Sequence, residues 1–394
     1  MKKTERPVRS FVQRPTIMVC ATEPGSAANL VEILPDLAST SDLTLFSESG
    51  GRSIFSENDF EAMDSSTIKS VETADEILEN MQPDVVICGR GIDMQSADRF
   101  MVAAARNQGI PSLVMIDEWY DYTKNFADGT GDLVFCPDVI CCPDLQAKNE
   151  AISEGLPSDR LYVTGSPAYA AVFDKIAKFN RQAPPLPMAL LDIHSRPVIL
   201  FISEKTVFER SPQNGNEQAR EKTPRARDSE SKIKEGLICA LQLVGEKCTV
   251  FERPHPSHRD SSNFSVNELK NISWRISSQD ALTSLIWHCD LVIGIRSAAL
   301  LTATLMAKPT LSYQPELRGA NRCTAVRKGI TQTITNSDDL ADWMVAHWSA
   351  KGNCEPIRPE FSREDASKRV LSMIQSLLER GRSLDRPDRL KESS

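Results

Sequence analysis

The sequence lacks the long apolar segment that a membrane-spanning helix requires. No stretch reaches the roughly 18–20 consecutive apolar residues that cross a bilayer, and the N-terminus, MKKTERPVRSFVQRP, has no apolar core of a secretory signal. Basic residues are in the minority, with 46 Lys and Arg against 54 Asp and Glu, so the formal net charge is -8. Such a field repels nucleic acid and anionic lipid. We therefore expect a cytoplasmic protein with no nucleic-acid partner and at most peripheral membrane contact.

Common cofactor and metal signatures are missing as well. The turn Glu23–Asn29 contains neither the GxGxxG pattern of dinucleotide binding nor the lysine of a phosphate loop. The ten cysteines include no CxxC pair, and the crowded Cys136, Cys141 and Cys142 have no matching pair of histidines. We predict reduced core thiols, no bound metal and no cofactor.

The chain is long enough for two domains. Its 394 residues exceed the roughly 250–300 that a single core serves, and short β-rich apolar runs alternate with amphipathic stretches of helical length. That alternation is typical of parallel sheets covered by helices on both faces. The predicted fold class is α/β, with two Rossmann-like, doubly wound parallel-sheet domains facing a cleft. A single large sheet with an appended domain is the alternative.

Composition changes along the chain suggest the domain boundaries. A proline-rich stretch, 179–196, follows one complete α/β series and precedes a second, which is the pattern expected of a linker. The predicted segments are a basic N-terminal arm (1–15), an acceptor domain (16–178), the linker, a nucleotide-sugar donor domain (197–361), and a C-terminal helix with a polar tail (362–394).

Apolar runs and helix-end signals predict individual elements. The predicted strands cover 16–21, 43–46, 83–89, 112–116, 139–142, 161–165, 197–202, 248–251, 272–276, 291–293 and 310–313. The predicted helices cover 97–107, 144–155, 231–245, 299–307, 338–347 and 366–379, and a polar loop is expected over 209–230.

The sharpest candidate cluster is Phe251–His258, directly after a predicted strand. His255 stands between two prolines, whose rings fix φ and hold the imidazole in one direction. Arg253 can offer a planar fork to phosphate oxygens. The pair could therefore bind a phosphate, although a plain turn with a surface histidine is the alternative. His258 is expected to be solvated.

A second cluster follows the predicted strand that ends near Gly294. Ser297 falls near the N-terminus of the next helix, where backbone N–H groups and the helix dipole attract anions. Arg296 adds a positive charge beside it. The hydroxyl could bind phosphate or simply cap the helix, and the two roles can coexist.

A third cluster pairs two carboxylates with two aromatic rings. Asp117 and Glu118 follow a predicted strand and precede Trp119 and Tyr120. Apolar neighbours raise the pKa of a carboxyl group, which suits a general base. An acidic turn with two packed aromatics is equally compatible with the pattern.

Two turns complete the set of candidates. Gly25 and Ser26 lie in the first turn, which we expect to shape an acceptor pocket. The turn Val163–Pro167 closes the first series and is expected to be structural.

Together, the tandem α/β halves, Val163–Pro167, Arg253–Pro256 and Ser297 through Pro309 resemble GT-B-fold sugar-nucleotide enzymes. The likeness is nearest to capsule and wall-polymer transferases of the polysialyltransferase and CDP-glycerol glycerophosphotransferase kind, and includes UDP-N-acetylglucosamine 2-epimerase-like proteins. It spans about residues 16 to 347.

The resemblance implies roles for matching residues. Asp117 and Glu118 correspond to the family's acidic pair, with Glu118 as the candidate base, and His255 and Ser297 would contact the donor phosphate. Two positions depart from the pattern: Trp119 replaces a glycine and Ala298 replaces a second hydroxyl residue.

The leading hypothesis is a metal-independent glycosyltransferase of surface-polysaccharide or cell-envelope synthesis. Its partners would be a nucleotide-sugar donor and a saccharide or lipid-linked acceptor, while the oligomeric state stays open. The alternatives are a nucleotide-sugar epimerase or hydrolase of the same fold, and a non-catalytic binding or interaction protein. The assigned residues are Glu118, Asp117 and His255 for catalysis, Arg253, His255, Arg296 and Ser297 for the donor phosphate, and Gly25, Ser26, Trp119 and Tyr120 on the acceptor side.

Overall fold

The structure, a computed structural model, contains two compact units. It describes residues 14–91, 93–191, 193, 196–204, 225–254, 271–277, 279–315, 317–348 and 362–384. The first unit combines the described residues up to Asp117 with Asp121–Ala168 and the described residues from Arg363 onward. The second unit combines Glu118–Tyr120 with the described residues from Tyr169 to Ser362.

The first unit is built on a seven-stranded sheet in which every strand pair is parallel. The strand order is β3-β2-β1-β4-β5-β6-β7. Its central strands are buried along their whole length, as expected of a parallel sheet covered on both faces. The strands are β1 (Thr16–Cys20), β2 (Asp42–Ser47), β3 (Met63–Asp64), β4 (Val85–Cys88), β5 (Ser112–Met115), β6 (Val139–Cys142) and β7 (Leu161–Val163).

Helices alternate with these strands and cover the sheet. Leu30 and Leu34 pack with alternate residues of the strands in one core. The helix Ala97–Asn107, which connects β4 to β5, packs against β4, β1 and β5. The helices are α1 (Pro24–Val31), α2 (Leu34–Thr40), α3 (Ser49–Ser56), α4 (Val71–Met81), α5 (Ala97–Asn107), α6 (Tyr122–Phe126) and α7 (Leu145–Ser153).

The second unit repeats this plan with six parallel strands in the order β10-β9-β8-β11-β12-β13. Its strands are β8 (Val198–Ile202), β9 (Cys248–Arg253), β10 (Ile272–Ile276), β11 (Leu291–Gly294), β12 (Thr310–Tyr313) and β13 (Thr333–Ile334). Its helices are α8 (Pro167–Arg181, which starts at the boundary between the units), α9 (Arg225–Val244), α10 (Leu282–His288), α11 (Ala298–Leu305), α12 (Thr324–Arg327) and α13 (Ser337–Trp348). The predicted α/β class with two Rossmann-like parallel sheets is confirmed.

Both sheets contain a point where the strand order reverses. In the first sheet the reversal falls between β1 and β4, and in the second between β8 and β11. The loops that leave two such neighbouring strands diverge, which opens a crevice at the carboxyl ends of the strands. Functional side chains are therefore sought in the loops after β1, β4, β8 and β11.

The proline-rich segment after α8 is attached to the second unit. The helix itself extends to Arg181, into the segment predicted as linker. Beyond it, the Met188 backbone N–H donates to Asp280 at 2.9 Å, and the Ser284 hydroxyl donates to the Pro185 carbonyl at 3.0 Å. These bonds hold residues 185–188 against the unit that follows them in the chain.

A buried ion pair ties α9 to the second sheet. The Lys234 ammonium lies 2.7 Å from a carboxylate oxygen of Glu252 on β9, and both side chains are buried. The Trp274 indole N–H donates to the other carboxylate oxygen at 3.0 Å. Loss of either partner would leave the other as a buried charge without its ion-pair partner.

The last helix, α14 (Arg363–Leu384), belongs to the first unit. Val370, Ile374, Leu377 and Leu378 recur at helical spacing, and all four are buried in the core formed with β1, β4 and α1. Arg363, at the start of the helix, pairs with Glu32 at 2.6 Å. Among the described helices, none has both the length and the apolar content needed to cross a membrane.

Truncation of the α14 core contact should destabilise the first unit. We expect Ile374→Ala to lower the free energy of unfolding by about 2–5 kcal/mol, because Ile374 is 1% exposed and its removal leaves a cavity. Urea denaturation followed by circular dichroism measures the change. The control is Gln375→Ala on the exposed face of the same helix, and equal stability of the two variants would contradict the packing described.

Candidate functional site

The first turn of α1 and the loops after β4 and β5 bring Ser26, Arg90 and Asp117 together. The Ser26 hydroxyl donates to Asp117 Oδ2 at 3.3 Å and accepts the Arg90 backbone N–H at 3.1 Å. The Arg90 guanidinium Nε lies 3.4 Å from Asp117 Oδ1, and both side chains are buried. Ser26 follows β1, Arg90 follows β4 and Asp117 follows β5, so the cluster lies beside the reversal point of this sheet.

Two glycines allow these loops to approach so closely. A Cβ added to Gly25 would lie 2.5 Å from Asp117 Oδ2, and one added to Gly89 would lie 2.3 Å from the Ser26 Cβ. Both distances are too short for a real side chain. Gly25, a predicted acceptor-side residue, is thus in contact with the Asp117 carboxylate.

Asp98 is a second buried carboxylate in this region. It lies in the first turn of α5, and its Oδ2 accepts the Thr22 backbone N–H at 3.2 Å as well as the Thr22 hydroxyl. Among the described residues, its Oδ1 has no hydrogen-bond partner. Burial is the main reason why the pKa of Asp98 is raised to about 6. The hydrogen bonds from Thr22 oppose this rise, and the nearby Asp117 charge adds a smaller upward contribution. Asp98 can therefore gain or lose a proton near neutral pH.

The turn expected to be structural, Val163–Pro167, is anchored to α1. The Ser166 hydroxyl donates to the Asn29 side-chain oxygen at 2.8 Å, and the Ala168 backbone N–H donates to the same atom at 3.2 Å. Asn29 is buried and accepts one hydrogen bond from this turn and one from Ala168, the residue that follows it. The contacts give Asn29 a role in positioning the chain after β7.

The two predicted acidic residues separate at the unit boundary. Asp117 belongs to the first unit, whereas Glu118, Trp119 and Tyr120 group with the second. Trp119 is 2% exposed, its ring centroid lies 5.6 Å from that of Tyr169, and the Lys328 ammonium lies 4.5 Å above it. Trp119 is therefore a packing residue. Glu118 and Tyr120 are half-buried.

In the second sheet, Arg296 and Ser297 surround the carboxylate of Glu204. The backbone N–H groups of both residues donate to Glu204 Oε1, that of Arg296 at 2.8 Å. The Arg296 side-chain Nε lies 3.6 Å from Glu204 Oε2. The Ser297 hydroxyl caps α11 by accepting the Ala299 N–H at 3.2 Å. The N–H groups that precede α11 thus bind a carboxylate of the chain itself.

Burial also shifts the proton equilibrium of Glu204. Loss of hydration raises the pKa of Glu204 to about 7, although the backbone and side-chain contacts of Arg296 and the Ser297 N–H act in the opposite direction. The charge of Glu118 adds a smaller upward contribution. Glu204 follows β8 by two residues, at the reversal point of the second sheet.

Arg253 lies at the same edge of this sheet. Ile202 pairs with Arg253 on one side and with Gly294 on the other, so Arg253 and Gly294 are separated by two strand spacings, or roughly 10 Å. The Arg253 guanidinium donates to the Ser277 carbonyl at 3.1 Å. His255 and His258 lie outside the described residues.

Three neighbouring cysteines of the first unit pack as apolar core residues. Cys136, Cys141 and Cys142 are free and buried, and burial raises the pKa of each thiol. Within the described part of the chain, no group of three or more His, Cys, Asp or Glu side chains could hold a metal ion.

Sequence analysis missed Arg90, Asp98 and Glu204. Arg90 follows the predicted strand 83–89 by one residue, and Glu204 follows the predicted strand 197–202 by two. A position just after a strand is the same signal that selected Asp117 and Arg296. Asp98 has a weaker signal, because an acidic residue in the first turn of a helix is common for electrostatic reasons alone.

Gly25→Ala should destabilise the first unit, because the added methyl group would overlap the ion-paired Asp117 carboxylate. We expect a loss of about 1–3 kcal/mol in unfolding free energy from overpacking, measured by chemical denaturation. Gly129→Ala is the control, since a Cβ there meets nothing within 4 Å. A variant as stable as the control would show that the close approach is not present.

Asp98→Asn should change how stability depends on pH. The folded-state pKa of Asp98, about 6, exceeds the ordinary value of 3.8, so the stability that the protonated form contributes is lost as pH rises from about 4 to 6. Asparagine does not titrate. The unfolding free energy of the variant relative to the wild type should therefore increase by up to about 3 kcal/mol over that interval and stay constant above it.

Urea titrations at pH 4, 5, 6 and 7 measure this difference. The matched control is Asp36→Asn, an exposed aspartate in the first turn of α2. A difference between Asp98→Asn and the wild type that does not vary with pH would contradict the burial of an ionisable Asp98.

Comparison with solved structures shows which proteins share this fold. UDP-GlcNAc 2-epimerase from Neisseria meningitidis, solved bound to UDP-GlcNAc, is 16% identical with a TM-score of 0.62 and covers 92% of this chain and 100% of its own. UDP-N-acetylglucosamine 2-epimerase from Rickettsia bellii is 14% identical with a TM-score of 0.63, and the match covers 96% of this chain and 100% of the epimerase. The glycotransferase of kitacinnamycin is 12% identical with a TM-score of 0.57, and the match covers 93% of this chain and 99% of the glycotransferase.

The sequence matches no protein-family model and no curated protein sequence. At these low identities, the solved structures establish the architecture and leave the reaction to be argued from the residues. The predicted resemblance to GT-B-fold sugar-nucleotide enzymes is confirmed at the level of fold, since this chain and these enzymes share two Rossmann-like parallel-sheet domains.

Proposed function

We propose that the chain is an enzyme that acts on a nucleoside-diphosphate sugar, by epimerisation or hydrolysis. The observation that carries this proposal is the cluster of Asp98, Asp117 and Arg90 at the reversal point of the first sheet. It combines a carboxyl group that titrates near neutral pH with a buried ion pair. The shared fold with two UDP-GlcNAc 2-epimerases supports the substrate class.

Both reactions require a group that takes up a proton and later returns one. Asp98 meets this need, because its pKa is about 6 and one of its oxygens has no partner among the described residues. The Arg90 guanidinium, whose Nε lies 3.4 Å from Asp117 Oδ1, adds a positive charge to the same cluster. Groups already in position stabilise developing charge without reorganisation, which supplies most of the rate enhancement in many enzymes.

The second unit is proposed to bind the nucleotide. Arg253, Arg296 and Ser297 lie at the carboxyl edge of its sheet, and His255 follows Arg253 by two residues in the sequence. Guanidinium groups and helix-start N–H groups are typical phosphate ligands. The Neisseria meningitidis relative was solved with UDP-GlcNAc, so a uridine nucleotide is the first ligand to test.

A glycosyltransferase of cell-envelope or surface-polysaccharide synthesis is the second candidate. The fold shared with the kitacinnamycin glycotransferase favours it. In that reaction Glu118 would deprotonate a saccharide or lipid-linked acceptor, with Gly25, Ser26 and Tyr120 on the acceptor side. Trp119 fits this role poorly, because its ring is packed against Tyr169 and buried.

Incubation with a sugar nucleotide alone distinguishes the two reactions. With UDP-GlcNAc and no acceptor, we expect a new epimer or free UDP, detected by proton and phosphorus NMR. Asp98→Asn should lower kcat by about 10²–10⁴-fold, as loss of a proton-transfer group does, while the affinity for UDP is retained. Asp36→Asn should keep full activity.

Other outcomes of this experiment would favour a different function. Turnover only when a saccharide or lipid-linked acceptor is added would favour the transferase. UDP binding with no turnover under either condition would favour a non-catalytic sugar-nucleotide-binding protein. Full activity of Asp98→Asn would remove Asp98 from the mechanism.

A further inference from the structure

A cavity open to solvent lies at the amino-terminal edge of the first sheet. Its volume is about 460 Å³, which is within the size range of small-molecule sites. The wall is formed by the last turn of α5 and by the segments that precede β6 and β7. All of these segments belong to the first unit, so the cavity is complete within one compact part of the chain.

The cavity is separate from the cluster of Ser26, Arg90 and Asp117. Those residues follow the carboxyl ends of β1, β4 and β5, whereas the cavity lies where β6 and β7 begin. Strands of four and three residues lie between the two edges, a length of roughly 10–13 Å. A ligand in the cavity would therefore bind without touching the groups proposed to act on a sugar nucleotide.

Two guanidinium groups line the cavity and are oriented by backbone carbonyls. That of Arg106 donates to the Leu133 carbonyl at 3.0 Å. That of Arg160 donates to the carbonyls of Cys136 and Pro137 at 3.3 and 3.0 Å. Burial raises the pKa of the Cys136 thiol, and the charges of Arg160 and Arg106 act against that rise. Both positive charges thus lie near the same part of the wall, and each guanidinium keeps N–H donors for a ligand.

Two carboxylates line the same cavity without neutralising these arginines. Among the described residues, neither Arg106 nor Arg160 forms an ion pair, and the Asp159 carboxylate has no hydrogen-bond or ion-pair partner. Asp132 Oδ2 accepts the Thr130 hydroxyl at 3.1 Å. A ligand with one positive and one negative group can pair with both sets, whereas a ligand of one sign is attracted by one set and repelled by the other.

The remaining lining is partly apolar. Val134 is 37% exposed, and Leu133 and Pro157 are half-buried. Covering this surface removes apolar area from water, which favours a ligand with an aliphatic part. Apolar walls with a few charged groups that orient the ligand are typical of small-molecule sites.

We infer that this cavity binds a free aliphatic amino acid. The amino-acid carboxylate pairs with the guanidinium groups of Arg106 and Arg160, and its ammonium group pairs with Asp159. Its side chain covers Leu133 and Val134. The inference goes beyond the proposed function, because the cavity shares none of its described residues with the groups assigned to the sugar nucleotide.

Isothermal titration calorimetry of the full chain with L-alanine, L-valine and L-leucine tests the site. The amino acid that binds most tightly is then compared with its analogues that lack the ammonium or the carboxylate, which for leucine are 4-methylpentanoate and 3-methylbutylamine. The variants are Asp159→Asn and Arg106→Gln. Their matched controls, Asp36→Asn on α2 and Arg52→Gln on α3, change exposed residues outside the cavity. Circular dichroism melting confirms that each variant is folded.

We expect both analogues to bind the wild type at least tenfold more weakly than the amino acid, because each lacks one of the two charges. Asp159→Asn should weaken amino-acid binding at least tenfold and should not weaken binding of the carboxylate analogue, which has no ammonium group. Arg106→Gln should weaken binding of both ligands. The two controls should bind the amino acid as the wild type does.

Three results would overturn the site. They are no binding of any of the three amino acids, an analogue that binds the wild type as tightly as the amino acid, and equal amino-acid affinity of Asp159→Asn and Asp36→Asn. The comparison of ligands on the wild type decides the question even if a variant does not fold. UDP binding and turnover of a sugar nucleotide are measured separately, so failure of this site leaves the proposed function standing.

Discussion

The reversal of strand order within each parallel sheet is the constraint on which the functional geometry depends. Where β1 lies beside β4, and β8 beside β11, the connecting loops diverge and leave strand ends uncovered. At those ends, polar side chains form ion pairs with one another. Arg90 with Asp117, and Glu204 with Arg296, are the two results. Each unit thus places an ion pair at the carboxyl edge of its sheet, next to an apolar core.

Elements with a strong local pattern were predictable from the sequence. The helix Ala97–Asn107 and the strand Val139–Cys142 have the predicted bounds, because continuous apolar runs and capping residues mark them. The edge strands β3 and β13 have two residues each and no apolar run, so only their pairing partners define them. Tertiary contact also determines the position of α14, whose apolar face gives no indication of which sheet it covers.

The candidate site was predictable to the extent that position after a strand is informative. That signal selected Asp117, Arg296 and Ser297, and the structure gives each a charged or hydrogen-bonded neighbour. The neighbours themselves were not predictable, since Arg90 and Asp117 are 27 residues apart, and Glu204 and Arg296 are 92 apart. Such pairing follows from the order of strands in the sheet, which a single sequence does not state.

The contribution of α14 to the first core has a consequence for synthesis of the protein. The ribosome completes Ala168 about 195 residues before Arg363, the first residue of the helix that fills this core. At roughly 5–20 residues per second, that interval lasts about 10–40 seconds. During it, the nascent first unit exposes the apolar surface that Val370, Ile374 and Leu377 later cover. A chain that ends before α14 would keep this apolar surface exposed to solvent, and premature termination would therefore favour aggregation.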